Sequence, residues 1–174
     1  LSEVLLKEIM QVKKNELTQP IQTNNGYLII KLNDKRIVNK EVNFEDELSL
    51  IRKIRTEFGK NDIEIRVDAN GAFTPKKAPT VLNKLAYLDI HSIEQPISAG
   101  QPIEMKKLCE NTPIPIALDE ELINLFNEEE KNELLQYISP QYIILKPSLL
   151  GGFKETNEWI KVAYENNISW WVTS

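Results

Sequence analysis

Asp68, Glu94, Asp119 and Lys146 each close a short apolar run, and successive members lie 26, 25 and 27 residues apart. Even spacing gives each the same place in successive β/α units, so the four should stand side by side on one rim of a parallel sheet. That rim, at the carboxyl ends of the strands, is where β/α folds bind ligands, because loops converge there while the interior is packed. Taken singly, a strand-end Asp or Glu caps the following helix or faces water. Three in register repel one another, and a hard divalent cation resolves the repulsion by taking their oxygens as ligands. The set points to Mg²⁺. Zinc has no His or Cys cluster to favour it, and the one histidine, His91, is an odd number of residues from Glu94 and should face away from it as a structural or solvated side chain.

Lys146 lies one unit beyond the acids. With a pKa lowered by burial or by the cation it would suit proton transfer; charged, it would stabilise a developing anion. Arg66, two residues before Asp68, should share its face, either entering the site or holding a structural ion pair. Ser148, Gly151 and Gly152 follow Lys146 and could bring backbone amides to an anionic substrate group, the alternative being a plain turn into the next helix.

The elements that must position these residues follow from periodicity. Apolar Phe44, Leu48, Ile51, Ile54 and Phe58 recur every third or fourth residue, which predicts a helix over 44–58 with Asn43 as N-cap, Gly59 as stop, and Arg52, Lys53 and Arg55 outward. Further helices are expected over 75–87, with Thr74 as N-cap, and over 103–110, 128–137 and 154–165. Strands over 63–67, 88–93, 114–118, 142–145 and 169–173 alternate with them, and in the last of these Trp170 and Trp171 should take opposite faces, one inward and one under a helix. The fold class is α/β, with parallel strands and outer helices. At 174 residues the chain is short for an eight-unit barrel of about 250, so an incomplete (β/α) barrel over 44–174 is expected. Residues 1–43 fit the rhythm less well: Asn24-Asn25-Gly26 signals a turn, 27–30 a strand and 36–38 a second, as a hairpin or as one more barrel strand.

With 41% hydrophobic and 27% charged residues the composition is that of a globular domain. A net charge of −5 gives nucleic-acid binding no electrostatic support, leaving small ligands or proteins as partners. Residues 1–14 lack the pattern of a signal peptide, no stretch reaches the roughly 20 apolar residues of a membrane helix, and the lone Cys109 suits a packed helix position in a reducing compartment, so the cytoplasm is the expected location.

Arg66-Val67-Asp68-Ala69-Asn70-Gly71, Ser92-Ile93-Glu94-Gln95-Pro96, Ala117-Leu118-Asp119-Glu120-Glu121 and Ile144-Leu145-Lys146-Pro147-Ser148, with Gly151-Gly152, resemble the enolase superfamily and within it its o-succinylbenzoate synthase branch, which serves menaquinone biosynthesis. The resemblance implies an enolase-type barrel, Mg²⁺ held by Asp68, Glu94 and Asp119, and removal of the proton α to a carboxylate followed by loss of water. It also implies a small carboxylate substrate, contacted by residues such as Arg66, Asn70, Ser148 and Ser174. Dipeptide epimerases and muconate-type cycloisomerases share this geometry. In that family the lysine matching Lys146 stabilises the intermediate, and a Lys-x-Lys motif on an earlier strand supplies the base. Here the motif reads Lys31-Leu32-Asn33, so Lys31 matches its first lysine, Asn33 replaces the second, and Lys35 is a loose alternative. An inactive structural fragment of such a barrel is therefore the rival expectation, and open strand edges would favour a homo-oligomer that covers them.

Overall fold

An apolar residue at every third or fourth position winds residues Phe44–Glu57 into α1, with Glu45, Asp46 and Glu47 at its positive end and Leu48 wholly buried. In the computed structural model, which describes residues 11–13, 16–23, 26–31 and 43–173, α1 opens the second of two units, Leu1–Asn43 and Phe44–Ser174. Arg55 does not turn outward. Its guanidinium donates to the carbonyls of Ile63 (2.9 Å), Leu88 (2.9 Å) and Asp89 (2.8 Å), because the helix end faces three loop carbonyls that have no strand partner.

Five parallel strands follow in chain order, β3 (Arg66–Asp68), β4 (Ser92–Glu94), β5 (Ile116–Leu118), β6 (Tyr142–Leu145) and β7 (Ser169–Val172), each pairing with the next. Between them run α2 (Ala78–Ala86), α3 (Pro102–Asn111), α4 (Glu128–Ile138), the short α5 (Pro147–Leu150) and α6 (Phe153–Glu165). This is a run of consecutive β/α units of a barrel. Central β5 is buried throughout, and β6 in all but its first residue, whereas β3 and β7 are edge strands in the described residues and expose part of their length. Ile93, Ile116, Leu118, Ile143 and Leu145 pack with Leu82, Met105, Leu135, Trp159 and Val162 of the helices into one core.

β3, β4 and β5 are shorter than the apolar runs expected there and pair only over the residues nearest the rim, whereas β6 spans the expected 142–145. Thr74 still accepts a hydrogen bond from Lys77 N, but the residues from Pro75 form a turn and α2 begins at Ala78. Cys109 is buried in α3, and burial pushes its thiol up to about 12, which suits a packing role. Trp171 turns inward, with the Arg66 guanidinium 4.1 Å from its ring centre, while Trp170 is 41% exposed rather than covered by a helix. His91 departs from the expected alternation: it precedes the first paired residue of β4 and packs against Tyr142 and Trp171.

In the N-terminal unit, β1 (Ile21–Thr23) and β2 (Gly26–Leu28) form an antiparallel hairpin, and Lys31 lies beyond it in an antiparallel bridge with Leu17. This hairpin is not the one expected between 27–30 and 36–38, since β2 pairs with the residues before it. Asn24, Asn25, Asn33, Lys35, the strand expected over 36–38 and Ser174 lie outside the described residues.

Candidate metal centre

Parallel pairing sets the site. The register places Asp68 opposite Glu94, and Glu94 opposite Ala117, two residues before Asp119, so the three acids end adjacent strands. Lys146 ends the next. Its ammonium reaches back over the rim, with Nζ 2.8 Å from Glu94 Oε1 and 2.5 Å from Asp119 Oδ2. The side chains of Asp119, Glu94 and Lys146 are 5%, 16% and 20% exposed, so this ion triad is largely removed from water.

Asp68, on the edge strand, stands apart. Its carboxylate accepts from Asn70 N at 2.8 Å and Asn70 Nδ2 at 3.3 Å, so Asn70 orients that acid. Asn70 and Gly71 are both left-handed, with φ of 48° and 67°, and together turn the chain off β3. A Cβ on Gly71 would lie 2.9 Å from Ser98 Cα, so Gly71→Ala must both strain the backbone and displace the neighbouring loop. An unfolding free energy lower by about 1–3 kcal/mol is expected in a urea titration; an unchanged midpoint would contradict the packing described.

Burial, partly offset by the hydrogen bond from Lys146 and reinforced by Asp68 and Asp119, pushes Glu94 up to about 7. Burial alone would lower Lys146, but its bonds to Asp119 and Glu94 outweigh that and raise it, so in the metal-free chain burial does not lower the lysine's pKa and Lys146 is a cation. Glu120 extends the negative charge. Its Oε2 is buried without a hydrogen-bond partner among the described residues, and burial, with Asp119 and Asp68 adding to it, raises its pKa. One ammonium therefore serves more carboxylates than it can neutralise. As they stand, no three acidic side chains among the described residues converge as metal ligands do, because Lys146 occupies the space between Glu94 and Asp119. The donor set nevertheless fits a hard divalent cation: oxygen ligands, excess negative charge and an orphaned buried carboxylate oxygen.

The other expected site residues fall around this centre unequally. Arg66 is held by Glu64, with Nε 2.8 Å from Oε1, and by Trp171, which corresponds to the structural ion pair and not to a place among the acids. Gly151 and Gly152 turn their amides to the Pro147 carbonyl, which closes α5 and leaves neither amide for a substrate anion. Ser148 is exposed. Lys31 belongs to the N-terminal unit. Gln95, wholly buried beside Glu94, had no assigned part; its place between Glu94 and Pro96 was the only signal.

Residues 16–174 match the family described as Enolase C-terminal domain-like. Over 133 residues the chain is 52% identical to o-succinylbenzoate synthase of Desulfotalea psychrophila (strain LSv54), covering 76% of this chain and 36% of that protein. It is 32% identical over 108 residues to L-Ala-D/L-Glu epimerase of Bacillus subtilis (strain 168), covering 61% of this chain and 28% of the epimerase. The crystal structure of MenC from Desulfotalea psychrophila LSv54 superposes with a TM-score of 0.73 at 53% identity, over 75% of this chain and 36% of that one. The chain thus spans little more than a third of the synthase it matches.

Proposed function

The chain belongs to the Enolase C-terminal domain-like family, and on that premise we propose that it carries the metal-binding and lysine-bearing part of an o-succinylbenzoate synthase, a lyase of menaquinone biosynthesis working in the cytoplasm on a small carboxylate. The observation that carries this reading is the protonated Lys146 set between Glu94 and Asp119 at the rim. Asp68, Glu94 and Asp119 would hold Mg²⁺. When bound, the ion supplies positive charge against a substrate carboxylate and so acidifies the C–H bond next to it.

Lys146 keeps its proton and donates a hydrogen bond to the anion that would develop as that C–H bond breaks; the proton taken from carbon would pass to the departing hydroxyl as the C–O bond breaks, so that the two leave together as water. The low exposure of Glu94 and Asp119 keeps bulk water from screening this charge. In the family the second lysine of the Lys-x-Lys motif is the base; here Lys31 matches the first lysine and Asn33 stands at the second, and Asn70, Ser148 and Ser174 are the candidates proposed for substrate contacts.

The test is formation of o-succinylbenzoate by the chain with added Mg²⁺. Turnover should depend on the ion and fall by about 10²–10⁴-fold in Lys146→Ala. Product from Lys146→Ala at the wild-type rate would remove the lysine from the mechanism. A second reading, dipeptide epimerisation, is favoured by the identity to the L-Ala-D/L-Glu epimerase and would show as racemised dipeptide instead. A third, a barrel segment that binds metal without turnover, is favoured by Asn33 in place of the second lysine.

The reading includes self-association. Edge strands β3 and β7 each have one strand neighbour in the described sheet, which leaves main-chain donors and acceptors to be paired. Sedimentation velocity should show a dimer or larger species; a single monomer boundary across concentrations would count against it.

A further inference from the structure

Gln95 is completely buried, yet every polar group it carries is used. Its Oε1 accepts from the backbone N–H of Asp119 at 3.1 Å, and its Nε2 donates to Ile97 O at 3.0 Å and to Glu121 Oε2 at 3.3 Å. Its main-chain N–H donates to Ala117 O at 2.9 Å, and its carbonyl accepts from Gly71 N at 2.7 Å. Glu121, also buried, uses its other oxygen to accept from Gly100 N at 3.1 Å. One residue thereby ties together the loops that follow β3, β4 and β5, the first through its main chain and the other two through its side chain.

The backbone is strained to allow it. Gln95 has φ of +36°, in the left-handed region, although it precedes Pro96, a position that favours extended conformations. Any residue free to relax would leave that region, so the hydrogen bonds must hold it there. The strain also has a geometric effect: Gln95 follows Glu94 directly, and it binds the amide of Asp119. The two acids that share Lys146 are thus joined by a fully satisfied buried amide, and the spacing between their carboxylates depends on it.

We propose that Gln95, braced by Glu121, is the positioning residue that sets the Glu94–Asp119 spacing and so tunes the affinity of the rim for a divalent cation. This rests on the metal reading above. A partner of this kind that does not touch the ion changes metal affinity by roughly 10–100-fold when removed. Gln95→Glu by itself replaces the donor that faces Ile97 O and Glu121 Oε2 with a second carboxylate oxygen, so acceptor meets acceptor. Adding Glu121→Gln restores the bond between positions 95 and 121 with its polarity reversed, while Ile97 O still lacks the donor that Gln95 gave it.

Two measurements on the full chain test the proposal. In calorimetric titration with Mg²⁺ alone, Gln95→Met should bind about 10-fold or more weakly than wild type, Gln95→Glu should also lose affinity, and the double variant Gln95→Glu/Glu121→Gln should recover part of that loss. In amide hydrogen exchange without metal, Gln95→Met should lose protection about 10-fold or more at Asp119 while the amides of β6 keep theirs, which separates a local release from general unfolding. Wild-type Mg²⁺ affinity in Gln95→Met, no recovery in the double variant, or unchanged protection at Asp119 each overturns the proposal. If wild type binds no Mg²⁺, the metal reading fails and so does the tuning of affinity, while the exchange result still reports on the spacing.

Discussion

Asp119→Asn is expected to weaken Mg²⁺ binding in calorimetric titration by more than the roughly 10–100-fold that loss of an outer partner costs. The substitution keeps shape and removes one full negative charge from the rim. Asp119 is the most buried of the three acids at 5% side-chain exposure, so water cannot replace the lost oxygen easily. The fold should survive, since Asp119 N still donates to Gln95 and Lys146 keeps Glu94. Heats in the variant equal to those of wild type would sink the metal assignment. The same titration carries a pH signature: Glu94 sits at about 7 in the metal-free chain, so below that pH the ion must displace a proton, and affinity should rise with pH and level off above about 7. Stability of the metal-free chain runs the other way. A raised carboxyl pKa favours folding below the ordinary carboxylate range, and that contribution is lost as pH climbs through 7.

The parts of this site that were legible in the sequence are those governed by local repetition. The spacing from Asp68 to Lys146 placed four residues on adjacent strand ends because each β/α unit uses nearly the same length of chain, and the register bears that out. Five of the six described α-helices and the five strands over 44–173 were legible for the same reason, apart from their ends, while the one-turn α5 was not. What the sequence did not reveal depends on which loop meets which. Arg55 read as an outward charge, yet its partners are three carbonyls that only the fold brings to it, and Arg66, for which an ion pair was one of two readings, adds the ring of Trp171 to its bond with Glu64. Gln95 acts through an amide 24 residues away, which no local pattern encodes. Lys146 shows the limit from the other side: its place was legible, but the direction of its pKa was not, because that depends on whether burial or two hydrogen-bonded carboxylates wins.

Lys131 offers a second large effect, away from the rim. It occupies the buried stripe of α4 with Leu135 and Ile138, at helical spacing, and its side chain is 0% exposed. Nζ lies 2.7 Å from Glu155 Oε2 and 2.5 Å from Glu158 Oε1 on α6, so the contact that joins the two helices is ionic where the pattern would place a leucine. Removing one partner of a fully buried pair costs about 3–5 kcal/mol. Here the carboxylates retain 16% and 23% exposure and can rehydrate, so Lys131→Ala should lower the unfolding free energy by about 2–4 kcal/mol, part of it from the cavity left behind. Lys131→Met keeps the volume and loses only the charge, and its loss should be the smaller. An alanine variant within about 0.5 kcal/mol of wild type would mean that the pair contributes nothing. Acid distinguishes the ionic part. The bond from Lys131 holds Glu155 below its ordinary pKa, so its contribution is present above the carboxylate range and disappears as pH falls through the lowered value. Wild type and Lys131→Met should therefore differ near neutral pH and converge in acid, which is the outcome an interaction made of charge must give.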